Sequence, residues 1–504
     1  MRTRRYSLWR ICTAVAVCSV LGLTGDHQIR VFLVGDSTMA DKSLIGNPER
    51  GWGQVFPLFF SQGVGFENHA RNGRSTKSFI AEGRWQAVYE KLVPGDYVFI
   101  QFGHNDSKKE DSIRFADAHT AYRDNLLRFI KETRSKQAVP ILLTPVSRRS
   151  FKDGALIDTH GDYPVVVREL AASEHVDLID LQKKSMQLIE RLGAYQSKDL
   201  FLWVKPGLFS AIRSGKEDNT HFTFTGARVM ATLVAESIKE LDLPLGKFLK
   251  SVPVQPLIGE AKMVLLDYYY NNESKKDPQG KPARYHYVWE DTANSGFSDL
   301  GSRIVRFGAT IDSLCQAPTT GNLSRASIYI IVDPDTPQET EEPNYVDQPA
   351  IDAIEQWVRS GGVLVLLEND KGNSEFTHFN ELASRFGITF NEDSRNRVVG
   401  TAYDTGKLET FPDHPLFKGV RQIYMKEIST MKLKEPAHSI LTDSNDVIIA
   451  HAQIGKGYVL AVGDPWLYNE YITHRKLPAA YENDKAADNL IAWLLSQASP
   501  IPAR

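Results

Sequence analysis

Residues with chemistry to offer stand at four separated points of the chain. Ser37 lies in the turn VGDSTMADK, Gly73 in HARNGRSTKSF, Asn105 in FIQFGHND, and Asp218 and His221 in DNTHFTFTGA. A serine hydroxyl is a weak nucleophile until an imidazole takes its proton, and that imidazole needs a carboxylate to fix its tautomer. Asp218 and His221 are three residues apart, so a single turn brings carboxylate and ring together. Attack on an acyl carbon creates an oxyanion, which calls for preorganised donors. The backbone N–H groups of Ser37 and Gly73 and the side-chain amide of Asn105 are the three candidates. Each motif alone has an ordinary alternative: an Asp-Ser turn before a helix, a turn glycine, a loop asparagine bonding its own backbone, a capped helix start. His104 reads as a structural histidine.

The elements that must position these residues alternate between strand and helix. Apolar, β-branched runs at Ile29–Val34, Val64–His69, Tyr97–Phe102, Val139–Thr144 and Val176–Leu181 read as strands. Leu126, Phe129, Ile130 and Thr133 repeat at helical spacing, as do Val166, Leu170 and Ala171. Such alternation predicts a parallel sheet with helices on both faces. Ser37, Gly73 and Asn105 then follow strand ends, where such sheets place their ligand sites. Asp218 and His221 precede a helix predicted to begin near Thr225.

In this order, the blocks GDST, NGRSTKSFIAEGRW, FIQFGHND and DNTHF resemble the four sequence blocks of the SGNH (GDSL-like) hydrolases. Within that superfamily they look most like rhamnogalacturonan acetylesterases, which place Thr where Thr38 stands. The resemblance spans about residues 29–241. It implies a flavodoxin-like α/β sheet, Ser37 as nucleophile, His221 as base, Asp218 as its orienting partner, and Ser37, Gly73 and Asn105 in the oxyanion hole. It implies a secreted esterase that removes acetyl groups from a pectic polysaccharide or oligosaccharide, with no metal or organic cofactor. Acetylxylan and other acetylated glycans stay open as substrates. Trp52 and Trp85 are candidates to wall a sugar cleft, or else core. Arg71, Arg74, Lys77 and Arg84 are either a solvated face or contacts to galacturonate carboxylates, which suit the planar fork of Arg.

Two rivals remain. GHND is similar to a Gly-Asn-His-Asp metal motif of metallophosphoesterases, but here His precedes Asn and no His-x-His occurs. A non-catalytic glycan-binding protein would have to keep all five residues unused.

At 504 residues the chain exceeds one typical core. Residues 1–25 read as a signal peptide: Arg2, Arg4, Arg5 and Arg10 precede an apolar stretch, Ile11 to Leu23, too short to cross a bilayer. Export to a bacterial periplasm or the exterior, without stable membrane insertion, follows. Cys12 and Cys18 fall inside that segment, leaving Cys315 alone, so the domains must stand on their cores. A formal net charge of −3 gives no argument for a nucleic-acid partner. The catalytic domain is assigned to 26–245 and a proline-rich linker to 246–260. A second α/β domain, 261–504, resembles ThuA-like or glutamine-amidotransferase-like domains through EQWVRSGGVLVLLEND and GKGYVLAVGDPWLYNEY. Cys315 lacks the Gly-x-Cys-x-Gly elbow of an amidotransferase, so this domain reads as non-catalytic. Tyr268, Tyr269, Tyr270, Trp289 and Trp466 are its candidates for stacking on sugars, with core packing as the alternative.

Overall fold

The computed structural model describes residues 29–250 and 256–501. The expected signal peptide, with Cys12 and Cys18, and the centre of the expected linker lie outside the described residues.

Five parallel strands form the first sheet: β1 (Ile29–Gly35), β2 (Val64–Asn68), β3 (Tyr97–Gln101), β4 (Val139–Leu143) and β5 (Asp177–Ile179), in spatial order β2-β1-β3-β4-β5. Both faces are covered, which is why β1 reads as a continuous apolar run rather than an alternating one. Val31 and Leu33 pack with Val234 and Ile238 of the helix Phe224–Glu240. Phe32 and Val34 pack on the other side with Phe79, Trp85 and Phe129.

Register decides what the carboxyl ends of these strands share. Gly35 of β1 pairs with Gln101 of β3, and Leu33 with Asn68 of β2. The turns that follow therefore open side by side at one rim. A small antiparallel sheet of Glu49–Arg50, Lys216–Thr223 and Phe201–Val204 carries Asp218 and His221.

The second sheet has nine strands: β6 (Met263–Asp267), β7 (Thr310–Leu314), β8 (Ile328–Val332), β9 (Val363–Leu367), β10 (Ile388–Phe390), β11 (Met431–Leu433), β12 (Ala437–Asp443), β13 (Asp446–Ile454) and β14 (Gly457–Val462). Its order is β7-β6-β8-β9-β14-β13-β11-β10, with β12 on β13. The first five positions are parallel and the rest antiparallel, beginning with the β13–β14 hairpin.

Of the five aromatic residues weighed for stacking on sugars, four are core and Tyr269 is half-buried. Tyr268, Tyr270, Trp289 and Trp466 are buried, packed with strand and helix side chains, and present no face to a polysaccharide. Cys315 is exposed just after β7.

The two sheets are stitched together directly. Ile45 forms a parallel bridge with Ile311 of β7, and Gly46 N–H donates to the Ile311 carbonyl at 2.7 Å. Buried Asp312 accepts from Ser210 Oγ at 2.6 Å and from Arg325 at 2.6 Å. Among the described residues no helix is long and apolar enough to cross a membrane.

Candidate active site

Gly35 ends β1, and Asp36 makes the turn that follows it. Asp36 is fully buried; its Oδ1 accepts from the Thr38 N–H at 3.0 Å and from Thr38 Oγ1 at 2.9 Å. Its Oδ2 lies 3.0 Å from His104 Nδ1. Burial would raise the Asp36 carboxyl, but the charge and hydrogen bond of His104 and the Thr38 donors outweigh it and lower the pKa to about 2. The turn is thus a rigid carboxylate-centred loop, and it leaves the Ser37 side chain at its edge. His104 is structural in this sense: it locks the turn.

Ser37 Oγ lies 2.9 Å from His221 Nε2, and His221 Nδ1 lies 2.8 Å from Asp218 Oδ2. The sequence predicts these two residues at a helix start; they stand instead in the strand Lys216–Thr223, which runs directly into the helix Phe224–Glu240. In a regular strand, residues three apart face opposite sides. Here the pairing with Phe201–Val204 shifts between Glu217 and Phe222. Asp218 Oδ1 fills that irregularity by accepting from the N–H groups of Thr220 (2.7 Å) and His221 (2.9 Å). Burial works to raise the Asp218 carboxyl, and the His221 bond and charge with those N–H groups hold it well below the usual range. Lys216 Nζ adds an ion pair at 3.1 Å. Arg149 anchors the loop by donating its N–H to the Asn219 carbonyl and its guanidinium to Asn219 Oδ1. A lone arginine far away in sequence carries no signal of that role.

The donor residues converge on the same rim. Arg71 N–H donates to the Gly35 carbonyl at 3.0 Å, which draws the Asn72-Gly73 turn against the Ser37 turn. Gly73 has φ +73°, so a left-handed turn explains the glycine. Asn105 Nδ2 donates to the Arg74 carbonyl at 3.0 Å, and its Oδ1 accepts from Lys108 at 2.8 Å. The lysine bond fixes the amide orientation, and Nδ2 keeps its second hydrogen. The Ser37 and Gly73 backbone N–H groups have no acceptor among the described residues. Donors left unspent at one rim are what an oxyanion hole requires.

The cleft residues sort differently from expectation. Trp52 and Trp85 are 0% and 1% exposed, so neither walls a cleft. Trp52 Nε1 donates to Gln101 Oε1 beneath the site and Trp85 Nε1 to Glu132. Buried indole needs such a partner, and both rings serve the core. Arg74 and Arg84 both pair with Glu82, and Lys77 bonds the Ser112 carbonyl. Arg71 alone of the four is exposed with no side-chain partner among the described residues. Among the described residues no group of three or more His, Cys, Asp or Glu is arranged to hold a metal ion.

A family model described as GDSL-like lipase/acylhydrolase matches residues 33–229. A rhamnogalacturonan acetylesterase of Bacillus subtilis, RhgT, is 45% identical over 224 residues, 44% of this chain and 95% of its own length. A probable rhamnogalacturonan acetylesterase of the same organism, YesY, is 38% identical over 215 residues, 43% of this chain and 94% of its own length. The crystal structure of a catalytic mutant of Axe2, an acetylxylan esterase from Geobacillus stearothermophilus, is 15% identical with a TM-score of 0.31, covering 42% of this chain and 94% of that one. With 95% and 94% of two such relatives covered at 45% and 38% identity, the chain belongs, through its first sheet and the site at that sheet's rim, to the GDSL-like lipase/acylhydrolase family.

Proposed function

We propose that this protein is a secreted serine esterase that removes O-acetyl groups from pectic rhamnogalacturonan. The observation that carries the reading is the unbroken relay Ser37 Oγ, His221 Nε2, His221 Nδ1, Asp218 Oδ2, with contacts of 2.9 and 2.8 Å. His221 Nε2 takes the Ser37 proton as Oγ attacks the acetyl carbonyl carbon. The carbonyl π pair moves to oxygen, and the Ser37 and Gly73 N–H groups with Asn105 Nδ2 stabilise that oxyanion. Collapse re-forms the carbonyl and breaks the bond to the sugar oxygen, which leaves with the proton from His221. Water, deprotonated by His221, then attacks the acetyl-enzyme; acetate departs and Ser37 recovers its proton. Asp218 stays ionised throughout, holding the imidazole tautomer.

The choice of acetylated pectin rests on the two acetylesterase relatives, which match nearly end to end. Exposed Arg71 beside Gly73 supports an acidic polymer, since a free guanidinium suits a uronate carboxylate. The basic and apolar leader supports export to where polysaccharide is met. Acetate release from acetylated rhamnogalacturonan, homogalacturonan and xylan tests the assignment. The expected order puts rhamnogalacturonan first; equal or faster release from xylan overturns the substrate, and no release from any ester overturns the activity.

A further inference from the structure

The second domain holds a pocket of its own. A cavity of about 220 Å³ opens at the carboxyl ends of its parallel strands, lined by His286, Tyr287, Glu339, Asn373, Lys426 and Asp464 among others. In open α/β sheets that rim is where ligands bind. Asp464 follows β14 and is 2% exposed. Its Oδ2 accepts the Lys426 N–H at 3.0 Å, while its Oδ1 has no hydrogen-bond partner among the described residues. Asp464 lines the cavity, so a carboxyl oxygen there with no protein partner is open to a ligand hydroxyl. Asp333, after β8, is equally buried but stands behind the lining: its Oδ2 is 3.9 Å from His286 Nδ1, which Glu273 Oε2 holds at 2.8 Å. The backbone is also held out of its easy conformations here. His286, Tyr287, Asp333 and Glu427 all have φ between +47° and +63°. Strain of this kind persists where surrounding structure imposes it, and it gathers at ligand sites.

We propose that this cavity is a second binding site, for a neutral, hydroxyl-rich small molecule such as a monosaccharide. The walls mix donors and acceptors: two amides, an imidazole, an ammonium and several carboxyls. That mixture suits hydroxyl groups, which donate and accept, and rejects an apolar ligand. Lys426 is already paired with Glu427 at 2.6 Å, and burial raises the Asp464 carboxyl to about 8, so the lining offers no free cation and keeps Glu339 as an acid without an ion-pair partner among the described residues. An anionic sugar would meet repulsion. The ligand class therefore differs from the acidic polymer assigned to the Ser37 site, and the proposal does not depend on that assignment.

Calorimetric or saturation-transfer NMR titration of the full chain with L-rhamnose, D-galactose, D-galacturonate and D-glucosamine tests it. One neutral sugar should bind saturably, with a dissociation constant on the order of 1 mM. Asn373 is exposed at the mouth, so Asn373→Trp should close the pocket without disturbing the core. It should weaken that binding by about tenfold or more, roughly 1.4 kcal/mol, while Ser37-dependent hydrolysis of a small acetyl ester is unchanged. Glu339→Gln should improve D-galacturonate binding relative to the neutral sugar. Absence of saturable binding by either neutral sugar overturns the site. Unchanged affinity in Asn373→Trp places the binding elsewhere and overturns it too. Tighter binding of D-glucosamine or D-galacturonate than of both neutral sugars overturns the ligand class.

Discussion

Ser37 has a buried turn behind it and an imidazole in front, so its side chain contributes little packing. Ser37→Ala should abolish acetyl ester hydrolysis and leave the melting temperature within a few degrees of wild type. His221→Ala should cost about as much, because residues of a relay act as a unit. Asp218→Asn removes the acceptor that fixes the His221 tautomer, and a loss of about 10⁴ in kcat is the scale known for that change. Turnover of 4-nitrophenyl acetate checks all three. Asn105→Ala should lower kcat by roughly 10²–10³ with little change in KM, the usual cost of one oxyanion donor. An unchanged kcat would remove Asn105 from the site. Arg71 offers a separate reading of substrate charge. If it meets a uronate, Arg71→Gln should raise KM on acetylated pectin, and added salt should do the same to wild type, since exposed attraction is screened beyond about 10 Å at 0.1 M. A neutral acetyl ester should show neither effect.

Carboxyls at the strand ends are shifted in both directions, Asp106 of the first sheet included, raised by burial to about 7, and this sets a stability profile. Asp36, after β1, has its pKa lowered to about 2, and Asp218 is lowered further. Carboxyls depressed on folding contribute stability above their unfolded values near 4, lost as pH falls toward the folded ones. In the second sheet, burial raises Asp267 to about 6 and Glu368 and Asp464 to about 8. Carboxyls raised on folding contribute fully below about 4 and lose that contribution as pH climbs through 6 to 8. Thermal stability should therefore peak near about pH 4–6, and Tm at pH 8.5 should fall by at least about 5 °C. Glu368→Gln should flatten that alkaline decline; a Tm rising from pH 5 to 8.5 would contradict it. The five strands of the first sheet were legible in sequence. The first-domain strands stand within a residue or two of the apolar runs, because strands buried on both faces write continuous apolar runs. The edge strand Thr310–Leu314 was not legible: Asp312 and Ser313 interrupt its pattern, and only its pairing to β6 defines it. Nor was the strand Lys216–Thr223, whose polar residues are held by a register shift that no periodicity records. The triad was readable because chemistry restricts residue type. The tryptophans could not be assigned from sequence, because a buried indole and a sugar platform use the same side chain.

At the scale of the whole molecule, the question is how far the first sheet's site depends on the second. The proposed division at residues 246–260 treats the domains as beads on a linker, but the contacts run through other segments. Leu208 and Ile212 pack against the core of the second sheet, and Phe209, 7% exposed, belongs to that core. Ser210 is held by Asp312, and the Leu208 carbonyl accepts from Arg325. Leu44 and Ile45 lean on the other face of the same sheet. Arg228 and Thr225 of the helix after the triad bond Glu260, at 2.5 and 2.7 Å. The segment 205–215 leads straight into the strand that carries Asp218 and His221. A fragment of residues 26–253 keeps all five strands of the first sheet and both of its core faces, so it should retain a folded sheet. It loses the anchor on 205–215 and exposes Phe209, Leu208 and Ile45. Misplacement of a catalytic group by about 1 Å costs on the order of 10²-fold. We therefore expect the fragment to hydrolyse 4-nitrophenyl acetate with kcat reduced about 10- to 100-fold, with KM less affected. Asp312→Ala in the full chain should move the rate in the same direction by releasing Ser210. Hydrogen exchange should locate the loss: amides of 205–223 should exchange faster in the fragment while those of Tyr97–Gln101 stay protected. A fragment as active as the full chain, with 205–223 equally protected, would show that the first sheet alone holds His221 in register.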